Sequence, residues 1–271
     1  MSVTWVLQKN LINAVDFDAL MRACRELGHE PVGARVVPFS DELPEIPDDR
    51  PVVFYGGARW TSLVAARGRW SPGVFWDDDA FKMTTYARAW GDAMLNHGWW
   101  GSVAQVAAGE AMLAPATDYF VRPERDIKSF AGQVLTGAAL RGWCERLVGV
   151  DTLIEEDTLI LVAPTRAIER EWRLFIVDGE VVASTGYRES GRLAVTPGAP
   201  ARVIDFAHEL CAVHQPSRAF VMDVAASGGE LKIIEANGLN SSGFYAASIP
   251  AIVERVSALA SELWAARVSG C

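Results

Sequence analysis

Residues 218–237 constrain this chain more than any other stretch. Two β-rich runs, Arg218-Ala-Phe-Val-Met-Asp-Val224 and Glu230-Leu-Lys-Ile-Ile-Glu-Ala-Asn237, flank Ser227-Gly228-Gly229. Extended-type runs meeting at paired glycines are a hairpin signature. Side chains alternate along a strand, so Glu235 and Asn237 share one face. The facing of Asp223 depends on register. An odd number of residues separates it from Glu235, so a regular ladder closed by a two-residue Gly228-Gly229 turn sets Asp223 opposite Ile234 and turns it away from Glu235. A loop of about three or five residues, or a bulge, with glycine at positive φ, restores the shared face. Two carboxylates and an amide oxygen would then converge, a hard-oxygen set suited to Mg²⁺, which completes its shell with water and phosphate. The rival reading is an ordinary hairpin with its polar residues in solvent, and Ile233, Ile234 and Ala236 interleave poorly with that pattern.

Two further clusters have chemical content. In Tyr119–Gly132 a short strand delivers Arg122, and Lys128 follows in a loop. Arg as a planar fork and Lys as a point charge suit nucleotide phosphates, although most such cations are solvated surface. In Arg170–Ser184 an Asp178-Gly179 turn joins two apolar runs, which predicts a second hairpin. Glu171 and Arg173 share a face of its first strand, with an exposed ion pair as the plainer alternative.

The N-terminal part alternates strand and helix, as in a small parallel α/β domain. Thr4–Leu7, Pro31–Val37 and Pro51–Tyr55 read as strands, and Asn13 caps a helix running to Leu27 before Gly28. Gly56-Gly57 after a strand is read as a tight turn ahead of a phosphate cradle. Asp77-Asp78-Asp79 is read as a loop or cap ahead of a metal site, because consecutive side chains diverge. A helix is predicted over Ala251–Arg267. The division into domains is placed at 114, giving 1–114 and 115–271.

Composition excludes other classes. Half the residues are hydrophobic and 22% are charged, as in a folded globule. With 25 Lys and Arg against 34 Asp and Glu, the formal charge is −9, which argues against nucleic acid or an anionic membrane as the main partner. The first ten residues lack the apolar core of a signal peptide, and no apolar run reaches membrane-spanning length, so a soluble, cytoplasmic protein is expected. The cysteines Cys24, Cys144, Cys211 and Cys271 form no CxxC pair and read as reduced thiols. The four histidines show no ligand spacing, and no Gly-x-Ser-x-Gly nucleophile motif occurs.

The clusters follow one another as Val121-Arg122-Pro123, Asp126-Ile127-Lys128-Ser129-Phe130-Ala131-Gly132, Glu171-Trp172-Arg173 and Ile234-Glu235-Ala236-Asn237. That order resembles the ATP-grasp superfamily, in particular a branch of uncharacterised bacterial and phage proteins. The resemblance spans roughly residues 118–245. It implies an α+β fold in which two α+β subdomains clasp ATP, preceded by the small N-terminal α/β domain that completes a substrate cleft. It implies that Arg122, Lys128 and Glu171 contact the nucleotide, with adenine against the strand Thr158–Ala163 near the backbone of Ala163. Asp223, Glu235 and Asn237 become the Mg²⁺ set, and Arg173 and Arg188 face the transferred phosphate or the substrate carboxylate. The chain departs from the family where Arg122 replaces the lysine that usually precedes proline, and its glycine-rich lid is reduced to Ser129–Gly132. The implied function is ATP- and Mg²⁺-dependent joining of a small-molecule or peptide carboxylate to an amine through an acylphosphate. A phosphotransferase and a nucleotide-binding protein without turnover are the alternatives. Alanine at Asp223, Glu235 or Asn237 is expected to weaken Mg²⁺-dependent ATP binding with the fold intact.

Overall fold

Local signals in the N-terminal third set its elements. In this computed structural model, which describes residues 1–37, 40–125, 130–150 and 154–270, the Asn13 side chain accepts the Asp16 amide and starts helix α1, Ala14–Glu26. Gly28 ends it at φ 77°. Strands β1 (Thr4–Gln8), β2 (Glu30–Ala34), β3 (Val52–Tyr55) and the short β4 (Pro72–Gly73) form a parallel sheet in the order β2-β1-β3-β4. Helix α2 (Ala58–Arg67) leaves β3 through Gly56-Gly57. The Gly56 amide donates to the Asn240 carbonyl at 2.9 Å, and the Gly57 amide donates to Gln8 Oε1 at 2.7 Å. A Cβ on Gly56 would meet the Trp60 ring at 2.6 Å. The glycines therefore serve a tight turn, and both amides are used within the protein. The three aspartates also act locally: Asp77 accepts the amides of Asp79 and Ala80, Asp78 accepts the Trp76 indole N–H, and Asp79 pairs with Lys82. Helix α3 (Met83–Trp90) follows.

A second, antiparallel sheet takes the order β5-β8-β6-β7 from β5 (Trp99–Ser102), β6 (Asp118–Pro123), β7 (Gln133–Thr136) and β8 (Leu159–Pro164). Helices α4 (Val103–Ala107) and α5 (Gly137–Leu147) cover it around a core that includes Val106, Val121, Leu140 and Ile160. The third sheet is antiparallel, ordered β11-β10-β9-β12-β13, from β9 (Arg170–Val177), β10 (Glu180–Glu189), β11 (Arg192–Pro197), β12 (Ala219–Ser227) and β13 (Glu230–Gly238). Helices α6 (Ala201–Val213) and α7 (Ile249–Ser269) complete the chain. The Asp178-Gly179 turn forms as expected, with both residues at positive φ, 52° and 82°.

The third sheet is buried on both faces. Leu174, Ile176, Phe220 and Met222 pack toward α3 and α6, whereas Phe175, Val177, Ala219 and Val221 pack with α7 and the first sheet. Helix α7 thus joins the N-terminal core, and the Trp5 indole donates to Ser257 Oγ at 2.9 Å across 252 residues of sequence. The division expected at 114 does not coincide with the sheets: β5, before it, pairs with β8, and α7, after it, covers β3 and β4. Side-chain burial explains both departures, since the apolar residues of α7 and β5 sit in cores built from both parts of the chain. Among the described residues no helix is long and apolar enough to cross a membrane.

The approach to β5 is tight. A Cβ on Gly98 would collide with the Val162 carbonyl and with Ala163 Cα, both main chain. Gly98→Ala is expected to cost about 3 kcal/mol, because backbone cannot give way as a side chain can. Urea unfolding checks this, with Gly91→Ala unsuitable as a control because Gly91 sits at φ 50°, and Gly142→Ala, which meets only the Arg146 side chain at 3.5 Å, as the benign comparison.

Candidate active site

The β12–β13 hairpin resolves the register question. Its turn is the short one: Ser227 pairs with Glu230 across Gly228 and Gly229, at φ 59° and 82°. The ladder then slips, with Val224 opposite Ile233 but Asp223 opposite Glu235, so Ile234 is the extra residue of a bulge. The bulge sends Ile233 and Ala236 to the α6 core together, although their parity differs, and frees Glu235 and Asn237 for the opposite face. Asp223 is 2% exposed and Asn237 7%. The Asn237 amide nitrogen stands 3.3 Å from Asp223 Oδ2 and 3.2 Å from Glu235 Oε1.

Two arginines flank the trio. Arg173, one strand over and opposite Asp223, grips it with both arms: Nε to Oδ1 at 2.9 Å and Nη2 to Oδ2 at 2.7 Å. Burial alone would lower the Arg173 pKa, but the charge and hydrogen bonds of Asp223 outweigh it and raise it, so the guanidinium stays charged. Arg122, at the end of β6, reaches from the second sheet to the third and pairs with Glu235 at 2.6 Å. Both members of that pair are largely buried, with side chains 8% and 19% exposed.

A second bulge shapes the next strand. On β10 the ladder passes from Gly186 opposite Trp172 to Arg188 opposite Glu171, leaving Tyr187 as the extra residue. The Tyr187 hydroxyl donates to Glu171 Oε2 at 2.7 Å, and burial, with Asp223 and Glu171 nearby, pushes its pKa up and keeps it a proton donor. Tyr187 stacks on Tyr245 with centroids 5.1 Å apart, and the Arg173 guanidinium lies 5.7 and 5.3 Å from the two rings. Tyr245 adopts φ 50°, a left-handed backbone a tyrosine seldom takes.

These groups wall a cleft of about 380 Å³ between the second and third sheets, lined by Arg122, Glu171, Arg173, Arg188, Asp223 and Glu235 among others. A neighbouring cavity of about 260 Å³ shares Phe120, Glu171, Arg188 and Ile234 with it and extends to Leu95, Thr165 and Ile168. The exposed Arg188 guanidinium lines both and makes no ion pair with a described residue.

Most of the residues singled out in the sequence meet here: Arg122, Glu171, Arg173, Arg188, Asp223, Glu235 and Asn237. Ala163 does not. It is fully buried, opposite Phe120, in the core shared by the second and third sheets, and Thr165, two residues further on, lines the neighbouring cavity. Lys128 lies outside the described residues. Tyr187 and Tyr245 escaped the sequence reading as site residues, because a bulge and a turn after a glycine-rich loop place them and neither has a spacing signature. The expectation that Asp223→Ala spares the fold is revised, since Asp223 is the buried counter-ion of Arg173.

The donor set fits Mg²⁺. With ligands about 2.0–2.1 Å from the ion, neighbouring ligand atoms in an octahedron stand about 2.9 Å apart. The Asn237 amide already sits close to that spacing from both carboxylates, and rotating it by half a turn presents Oδ1 in place of nitrogen. Among the described residues no three His, Cys, Asp or Glu side chains form a metal cluster; the third donor here is an amide.

Comparison with known proteins agrees with this geometry. A family described as an ATP-grasp domain, the second family of its clade, matches residues 101–254. Among solved structures, the D-cycloserine synthetase DcsG superposes with TM-score 0.65 at 15% identity, covering 97% of this chain and 100% of its own. The D-alanine–D-alanine ligase of Bacillus anthracis complexed with ATP gives 0.60 at 11% identity, covering 99% and 98%. The ATP-grasp ligase PsnB complexed with a minimal precursor gives 0.57 at 16%, covering 90% and 92%. No curated protein matches the chain. With more than half of its length matched and the expected α+β architecture in place, the chain belongs to this ATP-grasp domain family.

Proposed function

We propose that this ATP-grasp enzyme is a ligase that activates a carboxylate with ATP and joins it to an amine. The observation that carries the reading is the convergence of Asp223, Glu235 and Asn237 between Arg122 and Arg173 at a cleft between two sheets. Proteins of the same fold point the same way: one is a D-cycloserine synthetase, one a D-alanine–D-alanine ligase complexed with ATP, and PsnB has been seen with a precursor, Mg and ADP. We take the catalytic unit to begin at β5, which pairs with β8, rather than at residue 114.

In this reading Asp223, Glu235 and Asn237 would hold Mg²⁺, which would supply positive charge for the phosphate oxygens. Arg122 turns from Glu235 to the phosphates, and Lys128 contacts them as a point charge. The adenine side of the cleft is the cavity at Thr165 and Ile168, with Glu171 held in place by Tyr187. Arg173 remains fixed by Asp223 and faces the carboxylate, where its charge offsets the negative charge that builds up on the substrate oxygens. Arg188, which lines both cavities and has no ion-pair partner among the described residues, meets the transferred phosphate in this reading. The carboxylate oxygen attacks the γ-phosphorus as the bond to ADP breaks; the amine then forms its C–N bond as the acyl C–O bond to phosphate breaks, and phosphate leaves with the proton that the amine gives up.

Phosphate release from ATP with pairs of acids and amines tests this. The expected result is ADP and phosphate in equal amounts only when both substrates are present, with the amide as co-product. A phosphorylated acid accumulating without consumption of the amine would make the protein a phosphotransferase, and no turnover with any pair would make it a binding protein.

A further inference from the structure

Two further cavities share no wall residue with the adenine cavity. One, of about 300 Å³, is lined by Ala58, Arg173, Glu235, Asn237, Ser241 and Ser242. It places a fixed cation and a serine-rich loop next to the metal set, which suits a carboxylate about to react. Beyond Ala58, which lines both, the other cavity, of about 180 Å³, has Leu11, Val36, Val37, Trp60 and Leu63 among its walls. It sits at the carboxyl ends of β1, β2 and β3, beside the first turn of α2. There the order β2-β1-β3 reverses direction, the point at which open parallel sheets take up ligands.

Two features mark this cavity as a binding pocket. Its rim holds exposed apolar side chains, Leu11 at 66% and Val37 at 63% exposure. Its size is right for one ring, since an apolar cavity of about 150 Å³ takes up benzene. All its walls precede residue 101, outside the family match, so they are where this chain's own specificity can reside.

We propose that this pocket seats an apolar, ring-sized side chain of the carboxylate substrate, whose carboxylate lies beside Arg173 in the cavity that shares Ala58. The substrate class is then an aromatic or large aliphatic amino acid or related acid. The proposal rests on the ligase reading for the placement of the carboxylate, while the pocket itself can be tested without turnover.

The test has two arms. In the first, calorimetry measures binding of acetate and of a series of ω-phenylalkanoates to the whole protein, wild type and Val36→Trp, which fills the pocket. One phenylalkanoate is expected to bind at least about tenfold more tightly than acetate, and Val36→Trp to abolish that advantage. Should Val36→Trp not fold, Leu63→Phe replaces it. No preference over acetate, or a preference that survives pocket filling, overturns the proposal. In the second arm, hydroxylamine traps activated acid as hydroxamate with ATP and Mg²⁺. Wild type is expected to favour the same phenylalkanoate by KM, with the KM for ATP unchanged in Val36→Trp. Equal hydroxamate yield from acetate and phenylalkanoates would overturn the proposal. Pocket-dependent binding with no hydroxamate from any acid would uphold the pocket and refute the ligase reading instead.

Discussion

Glu235→Gln is expected to change ATP affinity in opposite directions depending on the metal. With Mg²⁺ present, the variant should bind ATP more weakly, by about 2–3 kcal/mol or roughly 30- to 150-fold, the range for a lost charged contact in a part-buried site. With EDTA it should bind ATP several-fold more tightly than wild type. The reason is the Arg122–Glu235 pair at 2.6 Å. As the structure shows the pair, Glu235 occupies the guanidinium that the phosphates need, and Arg122 occupies the carboxylate that the metal needs. Bringing in metal and nucleotide together exchanges both partners and leaves no charge bare. Nucleotide without metal must break the pair and strand Glu235 against phosphate, a repulsion that glutamine removes. Calorimetry on folded protein, with and without Mg²⁺, reads both signs. Weakened binding in both conditions would mean that Glu235 contributes to the fold of the cleft rather than to the metal.

Asp223→Ala is expected to destabilise the protein by about 3–5 kcal/mol, the cost of stripping one partner from a buried ion pair. Asp223 is 2% exposed and holds Arg173 through two hydrogen bonds, and the Arg173 side chain is itself only 13% exposed. Alanine would leave a guanidinium facing Tyr187, Tyr245 and the Gly243 carbonyl, which bring no negative charge. The double variant Asp223→Ala/Arg173→Met should recover most of the loss, because no unpaired charge remains. Urea unfolding midpoints check both. A single variant within about 1 kcal/mol of wild type would show that water reaches Arg173 and that the pair is not the structural clamp of the site.

The sequence carried those parts of the site that depend on period and turn chemistry. The Glu171–Arg173 face, the Glu235–Asn237 face and both glycine-containing turns follow from alternation and from positive φ. The need for an irregularity between Asp223 and Glu235 also followed, from parity alone, and the structure supplies it as a bulge at Ile234 while keeping the two-residue turn. What parity could not reveal was tertiary. The pairing of Arg122 with Glu235 joins different sheets across 113 residues, and the capture of α7 by the first sheet depends on apolar faces meeting over a still longer span. Ala163 shows the same limit: its strand lies where it was expected, but Ala163 pairs with Phe120 of β6 and is buried against the third sheet. Tyr187 was visible only as the neighbour of Arg188, because the bulge that turns it onto Glu171 leaves no mark in composition.

The most direct test of the central claim is a crystal grown with a non-hydrolysable ATP analogue and Mn²⁺ in place of Mg²⁺, with anomalous scattering used to find the metal. The expected result is a peak within coordination distance of Asp223, Glu235 and the Asn237 amide oxygen, with that amide turned from its ligand-free orientation and Arg122 moved from Glu235 to the phosphates. A nucleotide in the cleft with the metal elsewhere, or with the Arg122–Glu235 pair intact, would contradict the account.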